Sequence, residues 1–395
     1  MRRRVWLSGA AGIAVVAAAA AVAIPRLMVH ADPEDEDAAD SLGGCFTEGP
    51  YEACFTDPAA AGGKDTVIAD RISELVAEVG KGDSLRIAMF TWSDGHHKDL
   101  AHDVAAAQER GADVQVVLDN TDGRHDDRET LEILESAGIP VTLCADTCLA
   151  DVKLMHNKLF LFDVDGEKSV MLGSYNFNQS SLVRHNDMLR ITGDDKLHEF
   201  FTGYWNRLNV QSWTYDGETW DSDADRSSTG DLAVDAAVYP REEDSLVQVL
   251  GDVEGCAADG ESKVWISSWR VRHHRPEIRD ELVRLHDAGC DVRVLIPPVD
   301  DSVRGHTDWP EMKEWLVDGG LDADKIGRHD AIHDKYTVID AKYDGEYQGL
   351  VFMGSQNYNV QSLRKNDEAT VLVKDDALAQ LYVEFHEGVF AEADV

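Results

Sequence analysis

Two copies of one pattern decide the fold: HNKLFLFD at residues 156–163 and HDKYTVID at residues 333–340, 177 positions apart. In each copy a histidine and a lysine, separated by one residue, begin an apolar run that ends on an aspartate. Side chains alternate along a strand, so the histidine and the lysine share one face. The run 159–162 is apolar on both faces, which is typical of a central strand. We predict two buried strands, each presenting an imidazole beside an ammonium.

The repeat extends beyond these strands. Four landmarks recur in the same order at nearly one offset, which indicates two copies of one unit. The other matching pairs are IAMFTW at 87–92 with VWISSW at 264–269, GADVQVVL at 111–118 with GCDVRVLI at 289–296, and GSYNFN at 173–178 with GSQNYN at 354–359. Strands alternate with helical stretches in each copy. The sequence therefore predicts two α/β units, each with a largely buried sheet.

The remaining segments divide the chain around these copies. A basic start, an apolar run and a small residue at Ala31 predict a signal peptide, with a retained membrane anchor as the alternative. The Sec or twin-arginine route stays open. The predicted boundaries are a signal peptide at 1–31, a lead-in at 32–65, a first lobe at 66–215, an acidic linker at 216–245 and a second lobe at 246–395.

Charge and cysteine content narrow the class of protein. The formal net charge of −38 repels nucleic acid and anionic surfaces at long range, which disfavours a general nucleic-acid binder. Six cysteines in an exported chain indicate disulfides rather than a zinc site, because no paired C-x-x-C spacing occurs. Proximity favours the pairs Cys45–Cys54, Cys144–Cys148 and Cys256–Cys290, although other pairings stay open.

The repeated polar side chains suit a phosphodiester. One imidazole can attack while the other donates a proton, lysine offers charge to phosphate oxygens, and asparagine donates to charge that builds on them. The catalytic candidates are His156, Lys158, Asp163, His333, Lys335 and Asp340, with both aspartates as supports because they face away from the histidines. The phosphate-binding candidates are Ser174, Asn176, Ser355 and Asn357. We expect no metal and no cofactor, since no cluster with metal-ligand spacing accompanies them.

These motifs resemble the phospholipase D superfamily, whose hallmark is two HxKxxxxD motifs, each followed by a Gly-Gly/Ser-x-Asn segment. The resemblance covers about residues 50–390. It implies α/β/α sandwich lobes related by pseudo-twofold symmetry, with the active site at their interface. It also implies that His156 is the nucleophile and that His333 protonates the leaving alcohol. A downstream carboxylate would orient each histidine; Asp187 and Asp367 are the candidates, with Glu368 as the alternative to Asp367.

Three weaker signals remain. Tryptophans followed by paired histidines (Trp92, His96, His97; Trp269, His273, His274) suggest either a pocket rim or ordinary packing. The arginines Arg270, Arg272, Arg275 and Arg279 would bind a second anionic group or pair with nearby acids. Asp119 and Asp122 hint at calcium, but their spacing misses the EF-hand pattern.

We therefore expect a secreted, monomeric phospholipase D-type phosphodiesterase that hydrolyses or transfers the head group of a glycerophospholipid at a membrane or micelle surface. An extracellular nuclease using the same histidines is the alternative. A non-enzymatic lipid- or glycan-binding protein is the third hypothesis, and two intact motifs argue against it.

Overall fold

The computed structural model describes residues 43–125, 128–145, 148–149, 153–211, 219–220, 232–257, 261–298 and 309–395. The predicted signal peptide and residues 216–218 and 221–231 of the predicted acidic linker lie outside the described residues.

The first lobe is built on an eight-stranded mixed sheet. Its strands are β1 (Gly44–Glu48), β2 (Tyr51–Phe55), β3 (Ser84–Met89), β4 (Asp113–Asp119), β5 (Val141–Cys144), β6 (Lys158–Val164), β7 (Glu167–Gly173) and β8 (Asp187–Thr192). Its helices are α1 (Val67–Glu78), α2 (His96–Glu109), α3 (Glu129–Ser136) and α4 (Asp195–Asn209), with 3₁₀ turns at Thr121–Gly123 and Ser181–Val183. The strand order is β1-β2-β8-β7-β6-β3-β4-β5.

The second lobe repeats this plan on a nine-stranded sheet. Its strands are β9 (Thr219–Trp220), β10 (Val234–Tyr239), β11 (Val253–Gly255), β12 (Lys263–Ser268), β13 (Asp291–Ile296), β14 (Ile326–Arg328), β15 (Lys335–Tyr343), β16 (Glu346–Gly354) and β17 (Glu368–Lys374). Its helices are α5 (Ser245–Gly251), α6 (Pro276–Asp287), α7 (Trp309–Gly319), α8 (Val360–Arg364) and α9 (Asp376–Ala391), with a 3₁₀ turn at Ala323–Lys325. The order β9-β10-β17-β16-β15-β12-β13-β14 matches the first sheet strand for strand, and β11 adds to β15.

Helices cover both faces of each sheet, which confirms the predicted tandem α/β lobes. Helices α1–α3 and α5–α7 pack on the outer faces. Helices α4 and α9 lie between the sheets, and their apolar faces join both inner faces in one shared core that includes Trp205 and Tyr382. An aspartate caps each of these two helices, Asp194 at Leu197 N and Asp375 at Leu378 N. The two lobes therefore bury their inner faces against a common layer.

Two segments that the sequence analysis placed outside the lobes belong to the sheets. Strands β1 and β2 come from the predicted lead-in, and β10 comes from the predicted linker. Strand β2 pairs with β8, and β10 pairs with β17 in the same antiparallel sense. These strands are short, and they are held in place by strands far along the chain. The composition of the segments themselves therefore did not reveal them, and the sequence analysis predicted connections instead of strands.

Strand β3 of the first lobe corresponds to β12 of the second lobe at an offset of 179 residues, not at the 177 of the sequence alignment. The strand pairing shows this, because Ser84 pairs with Asp163 and Lys263 pairs with the equivalent Asp340. Phe90 and Trp269 are therefore the equivalent residues that follow these strands. A slip of two residues leaves every side chain on the same face, so alternation could not detect it.

All three predicted disulfides are present: Cys45–Cys54, Cys144–Cys148 and Cys256–Cys290. The first joins directly opposed residues of β1 and β2. No helix of the described part is both long and apolar enough to cross a bilayer.

Candidate active site

The two histidines lie where the lobes meet. The His156 N–H donates to the Asp367 carbonyl of the second lobe at 2.8 Å, and the His333 N–H donates to the His185 carbonyl of the first lobe at 3.0 Å. Each histidine is thus held by the segment that leads into the other lobe's β8 or β17. The charges of both lysines act on both imidazoles. The structure therefore brings the two sequence motifs into one site.

The groups that contact the histidines are not the first candidates, Asp187 and Asp367: they are Glu368, which was the predicted alternative, and Asn186, which was not predicted. His156 Nδ1 lies 2.9 Å from Glu368 Oε2, and His333 Nδ1 lies 2.8 Å from Asn186 Oδ1. Both oxygens only accept hydrogen bonds in this pairing, so each Nδ1 carries the proton and each Nε2 is left for the substrate. One histidine is backed by a carboxylate and the other by an amide.

The predicted Asp187 and Asp367 serve other partners. Asp367 accepts hydrogen bonds from the Cys148 and Leu149 N–H groups at 2.6 and 3.4 Å, and Asp187 accepts one from the Tyr382 hydroxyl at 3.4 Å. The sequence analysis aligned the dipeptide Asn186-Asp187 with Asn366-Asp367, and this alignment is wrong in the structure. Equivalent backbone bonds run from Ser174 N to Asp187 O and from Ser355 N to Ala369 O, so Asn186 corresponds to Glu368. The adjacent residue in a strand faces the opposite way.

The Glu368 carboxylate is fully engaged. It also accepts hydrogen bonds from Ser355 Oγ at 2.6 Å and from Asn366 Nδ2 at 3.0 Å. Burial alone would raise the pKa of Glu368, but the charges of His156 and Lys158 and these hydrogen bonds lower it below its usual value. Glu368 is therefore ionised at neutral pH.

Hydrogen bonds also fix the orientation of the Asn186 amide. Its Nδ2 donates to the Ser181 carbonyl at 3.1 Å and to the Arg184 carbonyl at 2.9 Å, which turns Oδ1 towards His333. Thr56, from the predicted lead-in, donates through its hydroxyl to the same Arg184 carbonyl at 2.8 Å and accepts from Asn186 N at 2.7 Å. The segment after β2 thus supports the second histidine.

Ser174 and Ser355 hold strands rather than face a ligand. Ser174 Oγ accepts from Asp187 N at 2.8 Å, and Ser355 Oγ accepts from Ala369 N at 3.1 Å while it donates to Glu368. The glycine before each serine allows this close approach. A Cβ on Gly173 or Gly354 would lie 2.2 Å from a carbonyl oxygen of the neighbouring strand. Their predicted phosphate-binding role is therefore replaced by a positioning role.

Lys158, Lys335, Asn176 and Asn357 are all buried, and the charges of the two lysines act on each other. Lys158 Nζ donates to the His156 carbonyl at 2.7 Å, and Lys335 Nζ donates to the His333 carbonyl. Burial lowers the pKa of Lys335 to about 7 and that of Lys158 well below its usual value. Asn176 Oδ1 and Asn357 Oδ1 are buried, and neither has a hydrogen-bond partner within the described residues. A bound phosphate would stabilise the charged forms of both lysines.

The aspartates of the two motifs lie far from the histidines. They stand at the other ends of β6 and β15, seven residues away, or roughly 23 Å along a strand. Asp163 is in register with Ser84, and Asp340 Oδ2 lies 3.8 Å from Lys263 Nζ with half of its side chain exposed. Their predicted support of the histidines is absent, because an extended strand carries them away from the site.

Four residues at the site were missed or only weakly indicated. The Phe90 ring packs on His156 with centroids 4.6 Å apart, and the Trp269 ring packs on His333 at 5.6 Å. The guanidinium of Arg124 lies 4.3 Å over Phe90, and that of Arg184 lies 4.0 Å over Trp269. The corrected offset of 179 would have paired the two rings, but no sequence signal identifies the arginines.

Three other weakly indicated residues make contacts within the fold rather than at the site. His97 is buried and lies 2.9 Å from the Tyr175 hydroxyl, and its pKa falls to about 3 because of burial. Arg275 is paired with Asp244. Asp119, the calcium candidate, accepts from the Thr121 hydroxyl, the Met155 N–H and Arg124 Nε, so its oxygens are occupied.

Comparisons with known proteins agree with this duplicated architecture. Residues 75–208 and 257–388 each match the family model described as cardiolipin synthase, PLD-like domain. No curated protein matches the chain significantly in sequence.

Two solved structures share the fold. Phosphatidylserine synthase from Haemophilus influenzae is 11% identical, with 87% of each chain covered and a TM-score of 0.58. Polyphosphate kinase from Porphyromonas gingivalis is 12% identical, with 85% of this chain and 49% of that one covered and a TM-score of 0.52. At such low identity the similarity concerns the fold alone.

Proposed function

Because the chain belongs to the cardiolipin synthase PLD-like domain family, we propose that it removes or exchanges the head group of a glycerophospholipid through a phosphohistidine on His156. The observation that carries this proposal is the unequal backing of two otherwise equivalent histidines, Glu368 for His156 and Asn186 for His333.

The carboxylate favours His156 as the nucleophile. Attack by Nε2 on phosphorus leaves a positive charge on the imidazole ring, and the Glu368 carboxylate stabilises that charge through Nδ1–H. Burial lowers the pKa of His156 to about 4 against the opposing charge of Glu368, so its ring is neutral and able to attack. An amide such as Asn186 orients an imidazole but offers no compensating charge.

His333 is then the acid and base. As the P–O bond to the head-group alcohol breaks and the P–N bond forms, Nε2–H of His333 protonates the leaving oxygen. In the second step His333 takes a proton from water or an acceptor alcohol, whose oxygen attacks phosphorus and releases His156. Burial, and then the charges of Lys335, Arg184 and Lys158, lower the pKa of His333. The phosphate anion of the substrate opposes these cations and restores the protonated ring.

The remaining polar groups suit the phosphate itself. Lys158 and Lys335 supply charge to the non-bridging oxygens, and Asn176 and Asn357 supply amide donors from matching positions in the two lobes. Together with the two histidines, these side chains account for every step of the proposed phosphodiester displacement. The family description concerns a phospholipid enzyme, and the net charge of −38 opposes a polyanion, so a lipid is favoured over DNA.

We also infer that the protein acts outside the cytoplasm. Three disulfides support this, because such bonds persist in oxidising compartments. N-terminal sequencing of protein recovered from the culture medium tests the predicted cleavage near Ala31; an intact N-terminus on cell-bound protein would contradict it.

The test of the activity is formation of phosphatidic acid from short-chain phosphatidylcholine and phosphatidylserine, in EDTA, with and without ethanol as acceptor. We expect product from the wild type, none from His156→Ala, and unchanged rates from His102→Ala, which alters an exposed histidine of α2. Acid-quenched wild type should carry a phosphohistidine. A folded wild type that cleaves no phospholipid would overturn the proposal, and cleavage of DNA instead would establish the nuclease.

A further inference from the structure

Asp367 precedes Glu368 and contacts the backbone around His156. Its carbonyl accepts from the His156 N–H at 2.8 Å and from Asn157 Nδ2 at 3.1 Å, and its own N–H donates to the Leu154 carbonyl at 2.9 Å. The next residue, Glu368, accepts from His156 Nδ1. The placement of residue 367 therefore sets both the main-chain contact and the ring contact of the histidine that we assign as the nucleophile.

Two N–H groups of the other lobe hold the Asp367 side chain. Cys148 N donates to Asp367 Oδ2 at 2.6 Å, and Leu149 N donates to the same oxygen at 3.4 Å. All three residues are fully buried, so bulk water cannot replace these donors. Burial raises the pKa of Asp367 well above its usual value, and the two N–H groups oppose that rise. Loss of the donors would leave a buried oxygen unsatisfied, which favours a shift of residue 367.

A disulfide anchors these donors to the first sheet. Cys148 is bonded to Cys144, the last residue of β5. Cys144 pairs with Asp119 of β4, and its carbonyl accepts from Asn120 N at 2.6 Å. The disulfide therefore ties the N–H groups that hold Asp367 to the hydrogen-bonded end of β5.

This disulfide is suited to a local role rather than to stabilising the whole chain. A crosslink restrains the unfolded chain less when it closes a shorter loop. The sequence separation is 4 for Cys144–Cys148 but 34 for Cys256–Cys290, which lies against the outer core of the second lobe. The two disulfides therefore allow a comparison between an effect on the site and an effect on global stability.

The residue equivalent to Asp367 beside the second histidine is His185. Its carbonyl accepts from the His333 N–H at 3.0 Å, and its ring Nδ1 donates to the Thr56 carbonyl at 2.9 Å. His185 is thus held within its own lobe, whereas Asp367 is held across the lobe interface by the loop that the disulfide closes. The state of this disulfide therefore bears most directly on the nucleophile.

We propose that the Cys144–Cys148 disulfide and the Asp367 side chain position His156 for attack, so that the protein reaches full activity only after this disulfide has formed. An organic disulfide such as oxidised glutathione is the oxidant. The two cysteine thiols give up two electrons and two protons as their S–S bond forms, and the oxidant is reduced to two thiols. Reducing conditions inside a cell would keep both cysteines as thiols and the activity low until export. This inference rests on the proposed function and names its regulation.

The first test measures kcat and KM on dihexanoyl phosphatidylcholine and phosphatidylserine. It compares the wild type with Cys144→Ser/Cys148→Ser and with a matched control, Cys256→Ser/Cys290→Ser. The first variant should lose about 10- to 100-fold in kcat, since a displacement of about 1 Å can cost 100-fold, while KM stays within about threefold. Phosphohistidine formation in acid-quenched samples should slow by the same factor. The control should lose more in melting temperature and keep kcat within about twofold.

Substitutions of Asp367 test the same contact from the other lobe. Asp367→Ala removes the acceptor and should lower kcat about as much as Cys144→Ser/Cys148→Ser does. Asp367→Asn keeps an oxygen that can accept from Cys148 N and should recover most of that loss. Adding Asp367→Ala to the double serine variant should lower kcat by no more than about a further threefold, because both changes break one contact.

Oxidation of the unaltered chain tests the regulation itself. Wild-type protein produced and purified under reducing conditions should gain activity when oxidised glutathione is added. The gain should follow the disappearance of the Cys144 and Cys148 thiols, measured by alkylation and mass spectrometry. Cys144→Ser/Cys148→Ser should show no such gain.

The results separate this inference from the proposed function. An undiminished kcat in Cys144→Ser/Cys148→Ser or in Asp367→Ala overturns the inference and leaves the proposed function standing. An equal kcat loss in the Cys256→Ser/Cys290→Ser control also overturns it, because the loss would then follow stability rather than position. If the first variant does not fold, the two Asp367 variants decide. A wild type that cleaves neither lipid overturns the proposed function and the inference with it.

Discussion

The two halves of the site share a backbone and differ in where they place negative charge. In both halves an inter-lobe hydrogen bond holds the histidine N–H, and a side chain of the other lobe accepts from Nδ1. That side chain is Glu368 for His156 and Asn186 for His333. Duplication supplies a symmetric scaffold, whereas a two-step displacement needs two different histidines. One substitution, carboxylate for amide, provides the difference.

Around the lysines, it is the second half of the site that has the additional acidic side chains. Lys335 lies near the buried carboxyls of Asp187 and Asp334, where the first half has Ala369 and Asn157. Burial, and the neighbouring charge of Asp187, raise the pKa of Asp334 to about 8. The first half therefore places a carboxylate against the histidine, whereas the second half places two buried carboxyl groups near the lysine.

The largest expected effect separates the two histidines. His156→Ala should abolish turnover for every substrate, because no covalent bond can form. His333→Ala should lower turnover of alkyl phosphodiesters by about 10²–10⁴-fold, the usual contribution of an acid catalyst. With a p-nitrophenyl leaving group, which needs no proton, it should still release nitrophenol and accumulate phosphohistidine. Burst kinetics measure this; equal losses with both leaving groups would contradict the assignment of roles.

The next largest effect is expected from substitutions of Glu368 and Asn186, the side chains that accept the hydrogen bonds from the two histidines. Glu368→Gln should lower kcat by about 100-fold, since a charged hydrogen bond to the forming imidazolium contributes roughly 1.5–3 kcal/mol. Asn186→Asp should raise the pKa of His333 and move the alkaline limb of the kcat–pH profile upward, with a much smaller change in maximal rate. Similar losses from both variants would show that the halves are interchangeable.

A smaller effect concerns the lysines and pH. Because the pKa of Lys335 is about 7, it is charged below that pH and neutral above it. Sulfate, an anion of constant charge, should raise the melting temperature most below pH 7 and progressively less above it. Lys335→Met should remove most of this dependence, and Asp187→Asn should shift it to lower pH. Lys342→Met, at a partly exposed lysine that pairs with Glu254, is the control. A sulfate effect that does not vary with pH would contradict the prediction.

The smallest effect concerns the motif aspartates. Asp163→Asn and Asp340→Asn should leave kcat/KM within about twofold and stability within about 1 kcal/mol, the usual range for exposed ion pairs. A loss of tenfold or more in either variant would show that the far ends of β6 and β15 reach the chemistry after all.

The sequence alone determined the duplicated α/β plan and the histidine and lysine pairs of the site, and cysteine proximity favoured the three disulfides that the structure contains. These features depend on local patterns: strand alternation, neighbouring cysteines, and a motif repeated at one offset. Phe90 and Trp269 could also have been paired once the offset of 179 was known, but alternation with period two cannot separate it from 177.

Only the tertiary structure decided which residues surround those pairs. Whether Asn186 or Asp187 faces His333 depends on strand register, and the segment before Glu368 is one residue longer than its counterpart before Asn186. The contacts of Thr56 with the Asn186 network join residues 130 positions apart. Arg184 reaches Trp269 only because the lobes pack face to face. Such contacts follow from the packing of distant segments, which no local pattern encodes.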